Sequence, residues 1–347
     1  MTEDRKLRVV VVDDSAFMRG SIARTLTAAG FDVVGQARDG REAIDRIVAL
    51  APDVATMDYN MPGMNGAEAV RELMRRRPTP VVMFSAHTRQ GARETFDALA
   101  AGAVDFVTKP AGEVSADLSK VADELTRKLT AAAGARPRAA AVASPPRVRA
   151  STPSIGTTTV PGGLPRLCVV GVSTGGPAAL SEVLPALPGD LRLAMIVVQH
   201  MPPHFTAALA ERLDAQSQLT VREAEHGERP MPGLVLLAPG DRHLELDERG
   251  LVALSDGAPV HGCRPAADVT MLAAARVYGR RTVAVVMTGM GKDGAAGALA
   301  IKQAGGKTFA QDQATSVIYG MPRAAIEAGA IDTVVPLAEL AAQLRYA

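Results

Sequence analysis

The sequence predicts an α/β protein with two doubly wound, mainly parallel sheets, and three observations support this prediction. Short apolar runs alternate with stretches of helical spacing over most of the 347 residues, which is typical of sheets covered by helices. The length suits about two domains of ~150 residues each. One segment, residues 129–164, interrupts the alternation with a composition rich in Ala, Pro and Arg.

Residues 1–128 form the smaller predicted domain. A strand at Arg8–Val12 leads into a helix of regularly spaced apolar residues, which Gly30 ends. Four more strands, around 33–34, 54–57, 81–84 and 104–107, alternate with helices around 43–50, 67–76 and 89–101. Five strand–helix repeats in this length predict a small doubly wound sheet with the strand order 2-1-3-4-5.

Residues 129–164 form a predicted flexible linker. No acidic residue occurs between Glu124 and Glu182. Arginine recurs inside the segment, at Arg136, Arg138, Arg147 and Arg149. Such a composition buries too little apolar surface to order itself, and a solvated spacer is favoured over a contact with an acidic partner. The strand–helix alternation then resumes, so residues 165–347 form the larger predicted domain.

Composition and charge narrow the classes of protein that this chain can belong to. Its apolar content of 47% and charged content of 22% are ordinary for a soluble protein, and a net charge of +1 provides no bulk attraction for nucleic acid. No apolar run approaches the ~18 residues of a membrane span, and the first residues lack the apolar stretch of a signal peptide. The two cysteines, Cys168 and Cys263, provide neither a disulfide framework nor a metal cluster. We therefore expect a cytoplasmic protein without nucleic-acid partners or membrane insertion.

Acidic and polar residues end the strands of the first predicted sheet. Asp13 and Asp14 end the first strand and Asp58 ends the third, while Ser85 and Lys109 follow the fourth and fifth. These strand ends meet at one edge of the sheet. Clustered carboxylates suit Mg²⁺, which together with the lysine would neutralise a phosphoryl group attacked by a carboxylate. Each acid alone could be a helix cap, but the set predicts phosphoryl chemistry.

Three loops of the second predicted domain contain catalytic residue types. They are G-V-S-T-G-G (171–176), Q-H-M-P (199–202) and T-G-M-G-K-D-G (288–294), and each follows an apolar strand. The loops contribute Ser173, His200 and Asp293, which are the residue types of a nucleophile, a general base and an orienting acid. Of the six histidines, His200 alone directly follows a strongly apolar strand. Ser173 could instead cap the next helix, although the neighbouring glycines would let a substrate approach closely.

Two of these loops also match other motifs. G-V-S-T-G fits the nucleophile elbow of α/β-hydrolases, but those enzymes have the order Ser, acid, His, and this chain has Ser, His, Asp. The difference favours a serine hydrolase of another lineage. G-M-G-K-D-G fits a dinucleotide fingerprint, which belongs in the first turn of its domain and not near the chain end. Lys292 does not make a phosphate loop, because Val286 stands where glycine is needed and Asp293 where Ser or Thr is needed.

The motifs V-V-D-D-S-A-F-M-R, M-D-Y-N-M-P-G-M-N-G, F-S-A and V-T-K-P resemble the response-regulator receiver domain over roughly residues 6–125. The resemblance implies a flavodoxin-like fold that is phosphorylated on Asp58. It implies Mg²⁺ held by Asp13, Asp14, Asp58 and the carbonyl of Asn60, with Ser85 and Lys109 contacting the phosphoryl group.

The motifs S-T-G-G, Q-H-M-P, A-P-G-D-R-H and T-G-M-G-K-D-G-A, behind a receiver, resemble the chemotaxis protein-glutamate methylesterases, the CheB family, across essentially the whole chain. The resemblance implies a Rossmann-like esterase domain with Ser173 as nucleophile, His200 as base and Asp293 as its partner. Backbone amides near Thr174 and Met290 would form the oxyanion hole.

The reaction that this second resemblance implies is hydrolysis of glutamate methyl esters on the cytoplasmic helices of chemoreceptors. It proceeds through an acyl-enzyme, needs no cofactor, and is accompanied by deamidation of receptor glutamines. A chemotaxis histidine kinase would supply the phosphoryl group to the receiver.

Two positions depart from the family pattern. A histidine usually precedes Arg-Pro, whereas here Cys263 precedes Arg264-Pro265 and His261 lies two residues earlier. This change bears on a substrate-contacting or supporting histidine and not on the triad. Lys292 stands where asparagine is common. The alternative function is a receiver fused to a non-catalytic ligand- or protein-binding module, which the intact Ser-His-Asp set disfavours.

Overall fold

The structure, a computed structural model, describes residues 5–110, 119–135 and 164–347. The chain divides into two compact units, Met1–Ala143 and Ser144–Ala347, and each is built on its own parallel sheet. Most of the predicted linker, residues 136–163, lies outside the described residues. None of the helices described here combines the length and the apolar composition that a membrane crossing requires.

The first unit has a five-stranded parallel sheet with the order β2-β1-β3-β4-β5, as predicted. Its elements are β1 (Arg8–Val12), α1 (Ala16–Ala28), β2 (Asp32–Ala37), α2 (Gly40–Leu50), β3 (Val54–Asp58), α3 (Gly66–Arg76), β4 (Val81–Ser85), α4 (Arg89–Ala101), β5 (Asp105–Thr108) and α5 (Ser119–Ala133). The edge strand β2 is longer than its two-valine apolar signal, because polar residues on its open side hide the alternation.

Local sequence explains where the first four helices begin. Side chains of Ser15, Asp39, Asn65 and Thr88 each accept a hydrogen bond from a backbone amide of the first turn, which satisfies one of the free donors there. Asn65 and Glu68 form a reciprocal capping box. These caps end the loops that carry the acidic residues, so they fix where those loops stop.

Helix α5 continues five residues beyond the predicted domain end at residue 128. Leu129 and Ala132 are fully buried, so this last turn packs into the core of the first unit. The first residues of the predicted linker are therefore helical.

The second unit has a seven-stranded parallel sheet with the order β14-β13-β12-β6-β7-β9-β8 and a two-stranded antiparallel ribbon, β10-β11. Its strands are β6 (Arg166–Val172), β7 (Leu193–Gln199), β8 (Thr220–Glu223), β9 (Leu234–Leu237), β10 (His243–Leu246), β11 (Val252–Ser255), β12 (Thr282–Val286), β13 (Lys307–Gln311) and β14 (Thr333–Val335). Its helices are α6 (Gly176–Val183), α7 (Phe205–Gln216), α8 (Ala267–Tyr278), α9 (Ala295–Gln303), α10 (Met321–Glu327) and α11 (Leu337–Arg345). Two short 3₁₀ turns, Leu184–Ala186 and Gly279–Arg281, complete the unit.

The apolar runs predicted to be central strands are indeed the middle of this sheet. β6, β7 and β12 are adjacent and almost wholly buried, as expected of parallel strands covered on both faces. From β6 the chain builds the sheet outward through β7, and it later returns to β12 on the other side of β6. The strand order therefore reverses at β6, and a crevice for ligands is expected outside the carboxyl ends of these strands.

Candidate active site and acidic pocket

The acidic residues of the first unit converge at one edge of its sheet. One carboxylate oxygen each of Asp13, Asp14 and Asp58 lies within 4.8 Å of the others, and Asp13 and Asp58 are buried. Lys109 Nζ lies 3.0 Å from Asp13 Oδ2 and 2.9 Å from Asp58 Oδ1. One ammonium leaves part of the charge of three carboxylates uncompensated, and such a set of oxygen ligands fits a hard divalent cation such as Mg²⁺.

The side chains of the two other residues predicted for this pocket, Asn60 and Ser85, form hydrogen bonds with helix α4. Asn60 lies two residues after Asp58, and its side-chain amide donates to Glu94 Oε2 at 3.2 Å. The Ser85 hydroxyl donates to the Gly91 carbonyl at 3.1 Å and lies 2.6 Å from Thr95 Oγ1. The structure thus puts Ser85 at the correct strand end but turns its hydroxyl toward helix α4. A contact with a phosphoryl group requires that side chain to rotate.

The protonation of Asp58 reflects its surroundings. Burial raises the pKa of this carboxyl to about 6, while the Lys109 ammonium opposes the rise and the Asp13 carboxylate adds to it. Most of Asp58 is therefore ionised at pH 7, and a bound cation would favour the ionised form further.

The raised pKa of Asp58 predicts that Asp58→Asn stabilises the metal-free protein at pH 8. Because the folded pKa lies above the unfolded one, the favourable contribution of Asp58 is present below about pH 4 and is lost as the pH rises through about 6. At pH 8 the ionised group therefore opposes folding, and its removal should raise the free energy of unfolding by on the order of 1–3 kcal/mol. Urea unfolding of the full chain in EDTA, at several pH values, measures this difference.

Asp53→Asn is the matched control, because hydrogen bonds from Arg8 and Arg5 outweigh burial and lower the pKa of Asp53. That substitution should destabilise the protein at pH 8, and its effect should fade as the pH falls. An Asp58→Asn variant less stable than wild type at pH 8 would contradict the assignment.

The candidate catalytic residues of the second unit lie at the carboxyl ends of adjacent strands. Ser173 directly follows β6, His200 directly follows β7, and Asp293 lies in the loop between β12 and α9. The Ser173 amide donates to the Thr288 carbonyl at 3.0 Å, and the His200 amide donates to the Val172 carbonyl at 3.2 Å. The three loops that the sequence singled out are therefore joined through their backbones.

His200 and Asp293 form a direct pair. His200 Nε2 lies 2.7 Å from Asp293 Oδ2. The same carboxylate accepts the amides of Ala267 at 2.6 Å and Asp268 at 2.9 Å, at the start of α8, and of Gly294 at 3.0 Å. The positive end of a helix and several amide donors stabilise a carboxylate. Burial raises the pKa of Asp293, but the His200 bond and the α8 amides outweigh it and hold the pKa below its usual value.

The imidazole of His200 has a raised affinity for a proton. Burial lowers the pKa of His200, but contacts with Asp293 and Cys263 raise it to about 9. Since Nε2 is engaged by Asp293, Nδ1 is the nitrogen that can accept a proton from a nucleophile. Cys263, the residue that departs from the family pattern, thus lies beside the base. The sequence gives no sign of this contact, because Cys263 lies in a loop with no apolar strand before it.

Ser173 lies next to this pair but is not bonded to it. Among the hydrogen bonds of residues 5–110, 119–135 and 164–347, none involves the Ser173 hydroxyl. Gly289 of the third loop packs against Ser173, and a Cβ at that position would come 2.8 Å from Ser173 Cβ. Catalytic hydrogen bonds are often long without substrate, so this geometry is compatible with a nucleophile.

The alternative role of Ser173 as a helix cap is wrong. Helix α6 begins at Gly176 behind the N-cap residue Gly175, which has a positive φ of 79° and no side-chain cap. The start of α6 therefore faces the nucleophile loop with its positive dipole, and its first amide, that of Gly176, donates to the Ser173 carbonyl at 2.8 Å.

The two residues predicted for the oxyanion hole lie in the first and the third of these loops. Thr174 is the neighbour of Ser173 in the chain, and its carbonyl accepts a hydrogen bond from Thr288 Oγ1 at 2.9 Å. Met290 follows Gly289 in the third loop, and its amide has no acceptor among the hydrogen bonds of the described residues. Thr288 was not predicted as a functional residue, yet its backbone and side chain bond both Ser173 and Thr174.

A second histidine–aspartate pair lies beside the first. His261 Nε2 lies 2.9 Å from Asp268 Oδ2, and one ligand atom each of His261, Asp268 and Asp293 lies within 4.8 Å of the others. Asp268 Oδ1 also accepts the Gly297 amide at 2.7 Å, and both Asp293 oxygens already accept donors. We interpret this group as a hydrogen-bonded support for Asp293 and not as a metal site.

Comparisons with known proteins cover both units. Residues 168–344 match the family described as CheB methylesterase, and residues 9–118 match the response regulator receiver domain. A protein-glutamate methylesterase/protein-glutamine glutaminase of Symbiobacterium thermophilum is 48% identical over 346 residues, 97% of this chain and 96% of the relative. A relative of the same name from Thermotoga maritima is 45% identical over 337 residues, 96% of each chain. The crystal structure of the T. maritima CheB methylesterase catalytic domain aligns with a TM-score of 0.51 and 45% identity, over 52% of this chain and 98% of that domain.

Proposed function

This chain belongs to the CheB methylesterase family and has a receiver domain, and we propose that it hydrolyses glutamate methyl esters of chemoreceptors. The observation that supports this most is the His200–Asp293 hydrogen bond of 2.7 Å at the sheet edge beside Ser173. A binding module has no need of a buried acid that orients a histidine next to an unbonded serine hydroxyl.

The reaction follows from the roles of these residues. His200 Nδ1 takes the Ser173 proton as the hydroxyl attacks the ester carbonyl, and the amides of Thr174 and Met290 donate to the oxygen that becomes negative. Each such donor is worth about 3 kcal/mol in comparable hydrolases. His200 then returns the proton to the departing methoxide, and methanol leaves an acyl-enzyme. Water, deprotonated by His200, releases the glutamate carboxylate and restores Ser173.

Asp293 stays ionised through both half-reactions. It holds the ring of His200 and stabilises the imidazolium that forms at each transfer. Deamidation of receptor glutamines follows the same steps with ammonia in place of methanol, and we include it in the proposal.

The first unit is the regulatory part of the proposal. Asp58 is the phosphoryl acceptor, a chemotaxis histidine kinase is the donor, and the receptor helices that carry the esters lie in the cytoplasm with the enzyme. Asp13, Asp14, Asp58 and the Asn60 carbonyl would hold Mg²⁺, which when bound neutralises charge on the phosphoryl oxygens. Lys109 adds a fixed positive charge, and Ser85 contacts the phosphoryl group after rotating. We propose domain boundaries near residues 128 and 165, with the last turn of α5 (Ser119–Ala133) extending beyond the first of them.

A serine-directed phosphonate probe distinguishes this proposal from a non-catalytic binding module. The probe should label wild-type protein at Ser173 and leave Ser173→Ala unlabelled, as mass spectrometry of the digested protein can determine. A wild-type protein that is folded and yet unlabelled would favour the binding module.

The His200–Asp293 pair predicts a particular pH dependence. The free enzyme needs a neutral His200, so kcat/KM for a methyl ester should rise with pH, be half-maximal near the pKa of about 9 and level off above it. In Asp293→Asn the anion that raises this pKa is gone, so the rising limb should move to lower pH while the plateau falls by about 10⁴-fold. An unchanged limb in the variant would show that Asp293 does not act on His200.

A further inference from the structure

Gln199 is a buried amide between the nucleophile and the base. It is the last residue of β7, directly before His200, and its side chain is almost inaccessible to solvent. Its Nε2 group donates to the Ser173 carbonyl at 3.0 Å and to the His200 carbonyl at 3.2 Å. One carboxamide therefore connects the backbone of the nucleophile to the backbone of the base.

The orientation of this amide is determined by its partners. Both neighbours are carbonyl oxygens, which only the NH₂ end can satisfy. The opposite end, Oε1, is buried and has no hydrogen-bond partner among the described residues. It faces the start of α6, where a Cβ at Gly176 would overlap it, so a side chain at position 176 would displace the amide.

The unpaired oxygen makes a purely structural role a poor explanation. A buried acceptor without a donor is destabilising, and an apolar side chain of similar size would avoid it. Two other buried side-chain atoms of the described residues, Thr56 Oγ1 and His243 Nδ1, also lack a partner. The Gln199 oxygen differs from them because it lies beside the nucleophile and the base, where departures from optimal packing are expected to have a function.

We propose that Gln199 is a positioning residue that sets the separation between Ser173 and His200. The inference rests on the proposed function. Because the Ser173 hydroxyl is not bonded to the His200 ring, their distance depends on where the two backbones are held. A misplacement of about 1 Å can cost about 10²-fold in rate, so the two hydrogen bonds of one amide are sufficient to matter.

The test compares Gln199→Met, which removes both donors, with Gln199→Glu, in which a protonated carboxyl can still donate to one carbonyl. Gln199→Met should lower kcat by about 10- to 100-fold with little change in KM. Gln199→Glu should be no faster than Gln199→Met at pH 8, where an anion faces two carbonyl oxygens, and several-fold faster at pH 6. Dividing each rate of Gln199→Glu by the rate of Gln199→Met at the same pH removes the effect of His200 titration, which both variants share. Gln218→Glu, an exposed residue that only accepts a hydrogen bond from the Gly189 amide, adds the same charge and should match wild type.

Two readouts separate this inference from the proposed function. Methanol release from methylated receptor helices reports the whole reaction, whereas the rate of Ser173 labelling by the phosphonate probe reports the nucleophile–base pair without receptor. If wild-type protein is labelled but releases no methanol, methylated receptor helices are not its substrate. The role of Gln199 is then tested by the labelling rates alone. A folded Gln199→Met with wild-type labelling and kcat overturns the proposal. The proposal is also overturned if the loss of kcat in Gln199→Met equals the loss of folded protein seen by circular dichroism. It is likewise overturned if the ratio of the rates of the two variants does not change with pH.

Discussion

Ser173→Ala is expected to lower methanol release from methylated receptor helices by about 10⁶-fold, and His200→Ala by a similar factor, because nucleophile and base act as one unit. The double variant should lose little more than either single variant. Release of methanol from receptor cytoplasmic helices, followed over hours with the full chain, measures all three rates.

The structure explains why these two losses should be so large. The Ser173 hydroxyl has no hydrogen-bond partner in the described parts of the chain, and His200 is the histidine paired with the buried Asp293. The one neighbouring nucleophilic group that the structure places beside His200 is the thiol of Cys263, and it needs its own control.

Variants of the two cysteines test whether a thiol, and not the Ser173 hydroxyl, is the nucleophile. Cys168 lies in β6, five residues before Ser173, and burial raises the pKa of its thiol to about 12, so it is inert at neutral pH. Cys168→Ser and Cys263→Ser should each keep most of the activity, and a strong loss in either would indicate thiol chemistry. A Ser173→Ala variant that kept a tenth of the wild-type rate would show that another group is the nucleophile.

Asp58→Asn is expected to abolish the response of the esterase to a small phosphodonor. With Mg²⁺ and phosphodonor, wild type should become faster by about 10- to 100-fold, a range typical of coupling between two sites, while the variant stays at the basal rate. The reason is that Asp58 ends β3 beside Asp13 and 2.9 Å from Lys109, so a phosphoryl group on it would be neutralised from both sides.

Restraint by the receiver is the proposed cause of the low basal rate. Two domains joined in one chain by ~30 residues have an effective concentration of about millimolar, so a weak restraint is sufficient to slow the esterase. A few kcal/mol from phosphorylation are then enough to shift the balance. A fragment that begins near Val160 should therefore outpace the unphosphorylated full chain. Equal rates would rule out restraint, and the receiver would then act by direct stimulation or by receptor targeting.

The strand order of the first sheet and the convergence of the catalytic loops were predictable, because apolar runs mark the strands and a doubly wound sheet brings the ends of neighbouring strands to one edge. Buried parallel strands appear in the sequence as apolar runs such as Val169–Val170 or Val197–Val198, and the residue after each run lies at the carboxyl edge. From this rule we predicted that Asp13 lies near Asp58 in one unit, and that Ser173 and His200 follow neighbouring strands in the other.

The details of the sites were not predictable because they depend on distant segments. The amides that hold Asp293 come from the start of α8, 25 and 26 residues away in sequence, and Cys263 reaches His200 from a loop without a strand signal. The orientation of Ser85 is set by Gly91 and Thr95 of the next helix. Each is a property of packing between elements, which periodicity does not contain.

Methanol release by the wild-type full chain, with and without phosphodonor, tests the central claim most directly. The substrate is a methylated receptor cytoplasmic helix bundle, and the buffer contains Mg²⁺. We expect slow release without phosphodonor and a rise of at least about tenfold with it. A chain that is phosphorylated on Asp58 and labelled at Ser173, yet releases no methanol in either condition, would contradict the assignment of this protein as a phosphorylation-controlled methylesterase.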